Sequence, residues 1–370
     1  MGLDRDQLDQ FFLALGERTY RSQQIMKWIY QQGVLEFDAM TDLPKALRAR
    51  LNEMATLEIP ARVSHQVSVD GTEKSVFRVA GGNHIETVLI PDAGRHTLCV
   101  SSQVGCLLDC RFCSTGKQGF DGNLSAAEIL AQLWVVNREL QARGIDRGVS
   151  NVVLMGMGEP LLNFDPVISA TNTMMEDVAF GLSKRRVTIS TAGVVPKIRA
   201  LAGLTDVSLA ISLHAADDAL RNELVPINRK YPISELLEAC RIYLDSLSDK
   251  RSITIEYTLL KGVNDGLDQA REMARLLKKL RCKINLIPFN PFPGSGFEQP
   301  SEAVALRFQA YLQQAGYVTR LRTTRGADID AACGQLVGRV QDRTRRQERY
   351  RNRLQQTGLL TRRISSQEVA

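Results

Sequence analysis

The chain has 370 residues, 44% hydrophobic and 24% charged, ordinary for a globular protein and ample for a large core. No apolar run approaches the ~20 residues that cross a bilayer, so no membrane partner is expected. The opening Met1-Gly2-Leu3-Asp4-Arg5-Asp6 has no apolar signal region, so the expected location is cytoplasmic. The net charge of +6 is concentrated at one end: between Arg339 and Arg363 nine arginines face Asp342 and Glu348, a local +7. Such a segment fits either a phosphate-rich partner or a solvated helix face.

Residues 1–58 predict helices. Asp4 or Asp6 caps a first one carrying Leu8, Phe11, Phe12 and Leu15; residues 20–32 form a second; Asp42 and Pro44 open a third through Leu47 and Leu51. The segment is expected to have its own small core. Residues 60–103 hold short β-prone runs at 63–69, 74–79, 85–90 and 97–102, punctuated by Asp70-Gly71 and Gly81-Gly82-Asn83. Strands at 151–155, 186–191, 207–212, 254–259, 283–288 and 318–321 then alternate with helices such as 126–142, 233–247 and 302–315. This rhythm implies a parallel sheet with right-handed crossovers. Six or seven strands are too few for an eight-stranded barrel, so an incomplete, open one is expected.

Seven cysteines without an export signal point to buried, catalytic or metal-bound thiols rather than a disulfide framework. Three of them, Cys106, Cys110 and Cys113, fall within eight residues just after a β-run. Thiolates are the soft ligands of iron–sulfur clusters, and loop cysteines so spaced can reach separate corners of one cluster. Three thiols on a cubane leave one iron open to a substrate or cofactor. A rival is zinc: His84-Ile85-Glu86 with Cys110 and Cys113 imitates nucleobase deaminases, but Asp109 stands where that signature has Pro, and Cys106 is left without a role.

The C-x3-C-x2-C spacing resembles the radical S-adenosylmethionine superfamily. The resemblance implies a [4Fe–4S] cluster on Cys106, Cys110 and Cys113 and a partial (β/α)6 barrel. Met155-Gly156-Met157-Gly158-Glu159-Pro160 resembles the superfamily's Gly-Glu-Pro turn, with Gly158 and Glu159 at the cofactor; a dinucleotide reading fails because Leu161 stands at the third glycine. Polar strand ends complete the expected cofactor contacts: Ser190, Ser212, Leu213, His214 and Asn290.

Further motifs narrow the resemblance. Arg325-Gly326-Ala327-Asp328-Ile329-Asp330 precedes Cys333, Cys99 lies seven residues before Cys106, and Val225-Pro-Ile-Asn228 and Ile287-Pro288 recur with them. Together they closely resemble the dual-specificity RNA adenine-2 methyltransferases. That resemblance implies methylation of adenosine carbon 2 in 23S rRNA and tRNA, with two S-adenosylmethionine per turnover. Cys333 would carry the methyl group, Glu86 would remove the carbon 2 proton, and Cys99 would release the product through a transient disulfide. It also implies a reductant protein such as flavodoxin, and a monomer. The Cfr type, which methylates carbon 8 of the same ribosomal adenosine, shares these motifs, and a non-enzymatic iron–sulfur RNA binder is a further alternative. The expected division is a helical accessory domain at 1–58 with RNA contact, a small β extension at 59–95, the partial barrel at 96–338 with the catalytic Cys loop near 325–336, and a basic tail at 339–370. Cys240 and Cys282 are expected to be packing residues.

Overall fold

Strand and helix alternate through most of the computed structural model, which describes residues 1–145, 148–338 and 342–356. The strands are β1 (Ala61–Val67), β2 (Glu73–Arg78), β3 (His84–Asp92), β4 (Arg95–Cys99), β5 (Gln103–Gly105), β6 (Phe120–Asn123), β7 (Asn151–Leu154), β8 (Val187–Thr191), β9 (Ser208–Ser212), β10 (Ile253–Leu259), β11 (Cys282–Pro288) and β12 (Thr319–Leu321). Ten of them form one sheet in the order β1-β2-β3-β4-β7-β8-β9-β10-β11-β12, and β5 pairs with β6 separately. From β4 to β12 every neighbouring pair is parallel. Among the described residues β12 does not pair back to β1, so the arc stays open, as the strand count predicts.

The β extension is not a layer of its own. Strands β1 to β3 continue the same sheet in antiparallel sense, joined through β3–β4. Strand β1, exposed along its whole length, is the outer edge. The centre is different: every residue of β10 is buried, as expected for a parallel strand covered on both faces.

Helix Ala126–Ala142 begins at a capping box in which the Ser125 hydroxyl and the Glu128 carboxylate satisfy each other's backbone amides. It buries Ile129, Leu130, Leu133, Val136 and Leu140, each contributing about 1.5–3 kcal/mol. The N-terminal helices rest on it: Trp134 Nε1 donates to the Ile29 carbonyl at 2.7 Å, and Arg138 to those of Tyr30 and Gln31. Phe12, Ile25, Met26, Ile29, Leu47 and Leu51 therefore belong to the same continuous core as the barrel, rather than to a separate small one. Asp4 is the cap of the first helix, and the second turns from α to π geometry at Lys27–Gln32 before Gly33 ends it at φ 75°.

Candidate active site

The carboxyl ends of the parallel strands open onto one cavity of about 170 Å³. Its wall holds Cys106, Cys110, Cys113, Gly158, Glu159, Ser190, Ser212, His214, Asn290 and Cys333 together, although they span most of the chain.

The cysteine loop follows β5 and is shaped by backbone bonds from Cys106 N to the Gly119 carbonyl (2.7 Å) and from Cys113 N to that of Cys110 (3.2 Å). Asp109 sits at φ 50°, held by Lys117 at 2.8 Å. A proline, locked near φ −65°, cannot occupy that place, so the loop is not the deaminase turn. Nor do three His, Cys, Asp or Glu side chains gather at a single-ion position among the described residues. Burial pushes Cys106 up to about 12 and Cys110 well above the usual thiol value, and neighbouring cysteines raise both further. Cys106 and Cys110, which resist becoming isolated anions, are suited to a cationic iron centre that relieves the crowding.

The turn after β7 is fixed by contact. Gly158 has φ 105°, and a Cβ there would lie 2.5 Å from the Gln103 Cβ. Gln103 Oε1 accepts from Glu159 N at 2.8 Å, and the Glu159 carboxylate accepts from Leu161 N (3.1 Å) and Ala192 N (2.8 Å). Burial nevertheless raises Glu159 to about 7, against those hydrogen bonds.

His214, at φ 58°, accepts at Nδ1 from Thr258 N (2.9 Å), which fixes the neutral ring with Nε2 as donor. Burial lowers it to about 3. Its ring lies 4.2 Å from that of Phe112, inside the cysteine loop. Leu213 is not on the cavity wall: it is wholly buried, and its amide and carbonyl are bonded to Glu256 O and Arg221 Nε. Strand β9 ends at Ser212, and beyond it the left-handed His214 faces the wall while the Leu213 side chain stays buried. Asn290 reaches the wall, but its side chain grips the loop bearing Cys333, donating to the Cys333 carbonyl (3.2 Å) and accepting from Thr324 (3.0 Å).

That loop is anchored at both flanks. Gly326 and Asp328 bond Asp70, Ser68 and Val69 in the β1–β2 turn. Ser114 N donates to the Gly334 carbonyl (2.7 Å) and Thr115 Oγ1 to that of Leu336 (2.8 Å), docking the Cys333 loop on the cysteine loop. The Cys333 thiol is packed deep yet solvent reaches it through the cavity; burial pushes it up, with Arg322 opposing. Cys99, at the end of β4, is raised to about 12 by burial and by a charge on Cys333. Both thiols are free. Glu86 is buried outside the wall, with Oε1 3.5 Å from Lys74 Nζ and Oε2 accepting from Val337 N at 2.9 Å.

Two charged wall residues and one buried arginine escaped the sequence reading. Glu256 and Arg322 line the cavity, and the acid within the apolar run of β10 was the available signal. Arg221 is wholly buried and donates to the carbonyls of Ala192, Ser212 and Leu213, closing the ends of β8 and β9. The basic tail is partly structural. Helix Arg346–Gln356 begins where Arg346 donates to the carbonyls of Cys106, Leu107 and Gly116, and Arg343 pairs with Asp121. Residues 339–341 and 357–370 of the expected tail lie outside the described residues.

A model of the ribosomal RNA large subunit methyltransferase N-terminal domain matches residues 1–57, and the radical SAM superfamily model matches 100–277. Relatives named dual-specificity RNA methyltransferase RlmN match closely. That of Marinomonas sp. (strain MWYL1) is 60% identical over 354 residues, 95% of each chain. That of Pseudomonas fluorescens (strain SBW25) is 58% identical over 352 residues, 95% of this chain and 92% of the relative. The crystal structure of a radical SAM methyltransferase from Sphaerobacter thermophilus superposes with a TM-score of 0.83 at 44% identity, over 90% of this chain and 98% of that one. The chain belongs to the RlmN family of radical SAM RNA methyltransferases, whose chemistry draws on a [4Fe–4S] cluster and S-adenosylmethionine.

Proposed function

We propose that the chain methylates carbon 2 of adenosine in 23S rRNA and in tRNA, with Cys333 as methyl carrier, Glu86 as base and Cys99 as resolving thiol. The observation that carries this reading is the presence of Cys333 on the same cavity wall as Cys106, Cys110 and Cys113, with Cys99 at the end of β4 close enough to feel a charge on Cys333. A binding module has no use for that juxtaposition. The N-terminal match and the identity to RlmN relatives favour carbon 2 over carbon 8.

The cluster, with S-adenosylmethionine, supplies the carbon radical that an inert aromatic C–H position requires. The residues of this chain do the rest. Cys106, Cys110 and Cys113 would hold the cluster, and Gly158, Glu159, Ser190, Ser212 and His214 would shape the cofactor's seat. Cys333, as thiolate, would take a methyl group from one S-adenosylmethionine, with S-adenosylhomocysteine as leaving group, and carry it as a thioether. Arg322 lowers the cost of that thiolate. Glu86 would take the carbon 2 proton. Cys99, as thiolate, would then attack the Cys333 sulfur; the Cys99–Cys333 bond forms as the carbon–sulfur bond breaks, and the product carbon keeps that electron pair and takes up a proton to become the methyl group. A reductant protein such as flavodoxin restores the thiols and feeds the cluster; the chain acts as a monomer, and its ribosomal and transfer RNA substrates locate it in the cytoplasm.

The test is Cys99→Ala expressed in cells. It keeps the carrier and loses only the resolving thiol, so a covalent protein–RNA adduct accumulates through Cys333, visible on a denaturing gel and mapped after nuclease treatment. An adduct mapped elsewhere, or none, overturns the assignment.

A further inference from the structure

Lys74 lies on β2, one diagonal step from Glu86 on β3: Glu86 pairs directly with Val76, and Lys74 with Val88. Side chains at such diagonal positions share a face and reach each other. Both residues are buried, at 7% and 5% exposure, and Lys74 Nζ stands 3.5 Å from Glu86 Oε1. A lysine is rarely this buried without a task that offsets its desolvation.

Lys74 also donates to the Asp330 carbonyl at 3.5 Å, while the other Glu86 oxygen accepts from Val337 N at 2.9 Å. Asp330 and Val337 bracket Cys333 on the catalytic loop. The pair therefore grips the loop on both sides of the methyl carrier, one grip through the cation and one through the anion.

We propose that Lys74 is a positioning residue of the reaction: it holds Glu86 as an anion and fixes it to the loop that bears Cys333. The idea rests on the reading of Glu86 as base. Two charged side chains face Glu86: Lys74 from β2, which favours its ionised form, and Asp330 from the loop, which disfavours it. Burial disfavours it most of all. With Lys74 removed, burial and Asp330 act unopposed. Protonation of Glu86 dissolves the ion pair and weakens the acceptor for Val337 N, so uptake of the substrate proton also loosens the loop.

The experiment is the pH dependence of adduct resolution by reconstituted holoenzyme in wild type, Lys74→Met, Lys74→Arg and Glu86→Gln. Lys74→Met should move the acid limb to higher pH by about 1–3 units, the range expected for loss of a close opposite charge. Lys74→Arg stays charged at every pH and should return the limb to its wild-type position, which a merely structural role does not require. The carboxyl 13C resonance of Glu86, assigned by its loss in Glu86→Gln, should titrate with the same displacement without turnover. A Lys74→Met enzyme that is slower at every pH with an unmoved limb and resonance overturns the inference. If Lys74→Met does not fold, an acid limb in Lys74→Arg displaced as far as about one unit overturns it instead. An acid limb that survives in Glu86→Gln overturns the reading of Glu86 as base, whatever Lys74 does.

Discussion

Two buried glutamates on opposite halves of one sheet are held in contrasting ways. Glu159, in the parallel half, accepts from two backbone amides in a turn that Gly158 allows no freedom. Glu86, in the antiparallel half, faces a lysine and the amide of a single loop residue. Fixed dipoles cannot leave, so Glu159 is part of the scaffold. A charged partner and one exchangeable bond can respond to a proton, so Glu86 suits a step in the reaction.

The largest effect is expected where the contrast is most rigid. Gly158→Ala forces a side chain into φ 105° and against Gln103. It should destabilise the fold by about 1–3 kcal/mol and suppress release of 5′-deoxyadenosine, measured by chromatography, to background. A variant that keeps near-normal release breaks the view that this turn is fixed. The next effect is electrostatic and concerns the metal-free protein. A carboxyl whose folded value stands above 4.5 stabilises the protein fully below 4.5, and that contribution is lost as pH rises toward about 7. For Glu159 it is on the order of 3 kcal/mol. Thermal melting of wild type should decline across this window, and Glu159→Gln should flatten the decline; equal slopes would mean the carboxylate is solvated. The smallest effect belongs to the strap over the cysteine loop. Arg346→Gln removes charged donors from three carbonyls, and at roughly 1–2 kcal/mol for a partly exposed group it should show as faster loss of iron in air, followed by absorbance, with the fold intact.

Most of the parallel half was legible in the sequence because its signals are local. Three thiols in eight residues, a Gly-Glu-Pro turn after an apolar run, and strand–helix alternation are short-range patterns that survive folding unchanged. Asn290 was legible as a wall residue but not as a clamp, because its partner Cys333 is 43 residues away. Leu213 was read with Ser212 and His214 as one block, but the chain leaves β9 at Ser212 and the Leu213 side chain is buried off the wall. The single core under the N-terminal helices, the Lys74–Glu86 pair and the tail's grip on the cysteine loop all depend on which distant faces meet. No spacing rule reports that.

The docking of the Cys333 loop carries a consequence for the substrate. Gly334 is bonded to Ser114, Cys333 to Asn290 and Leu336 to Thr115. A sulfur so tethered cannot travel out to a base stacked within a helix. If Cys333 carries the methyl group, as proposed, the adenine has to leave its neighbours and enter the protein, and unstacking it costs a few kcal/mol, least where it is already unpaired. On that reading the enzyme favours loops and junctions that yield a nucleotide readily over well-stacked duplex.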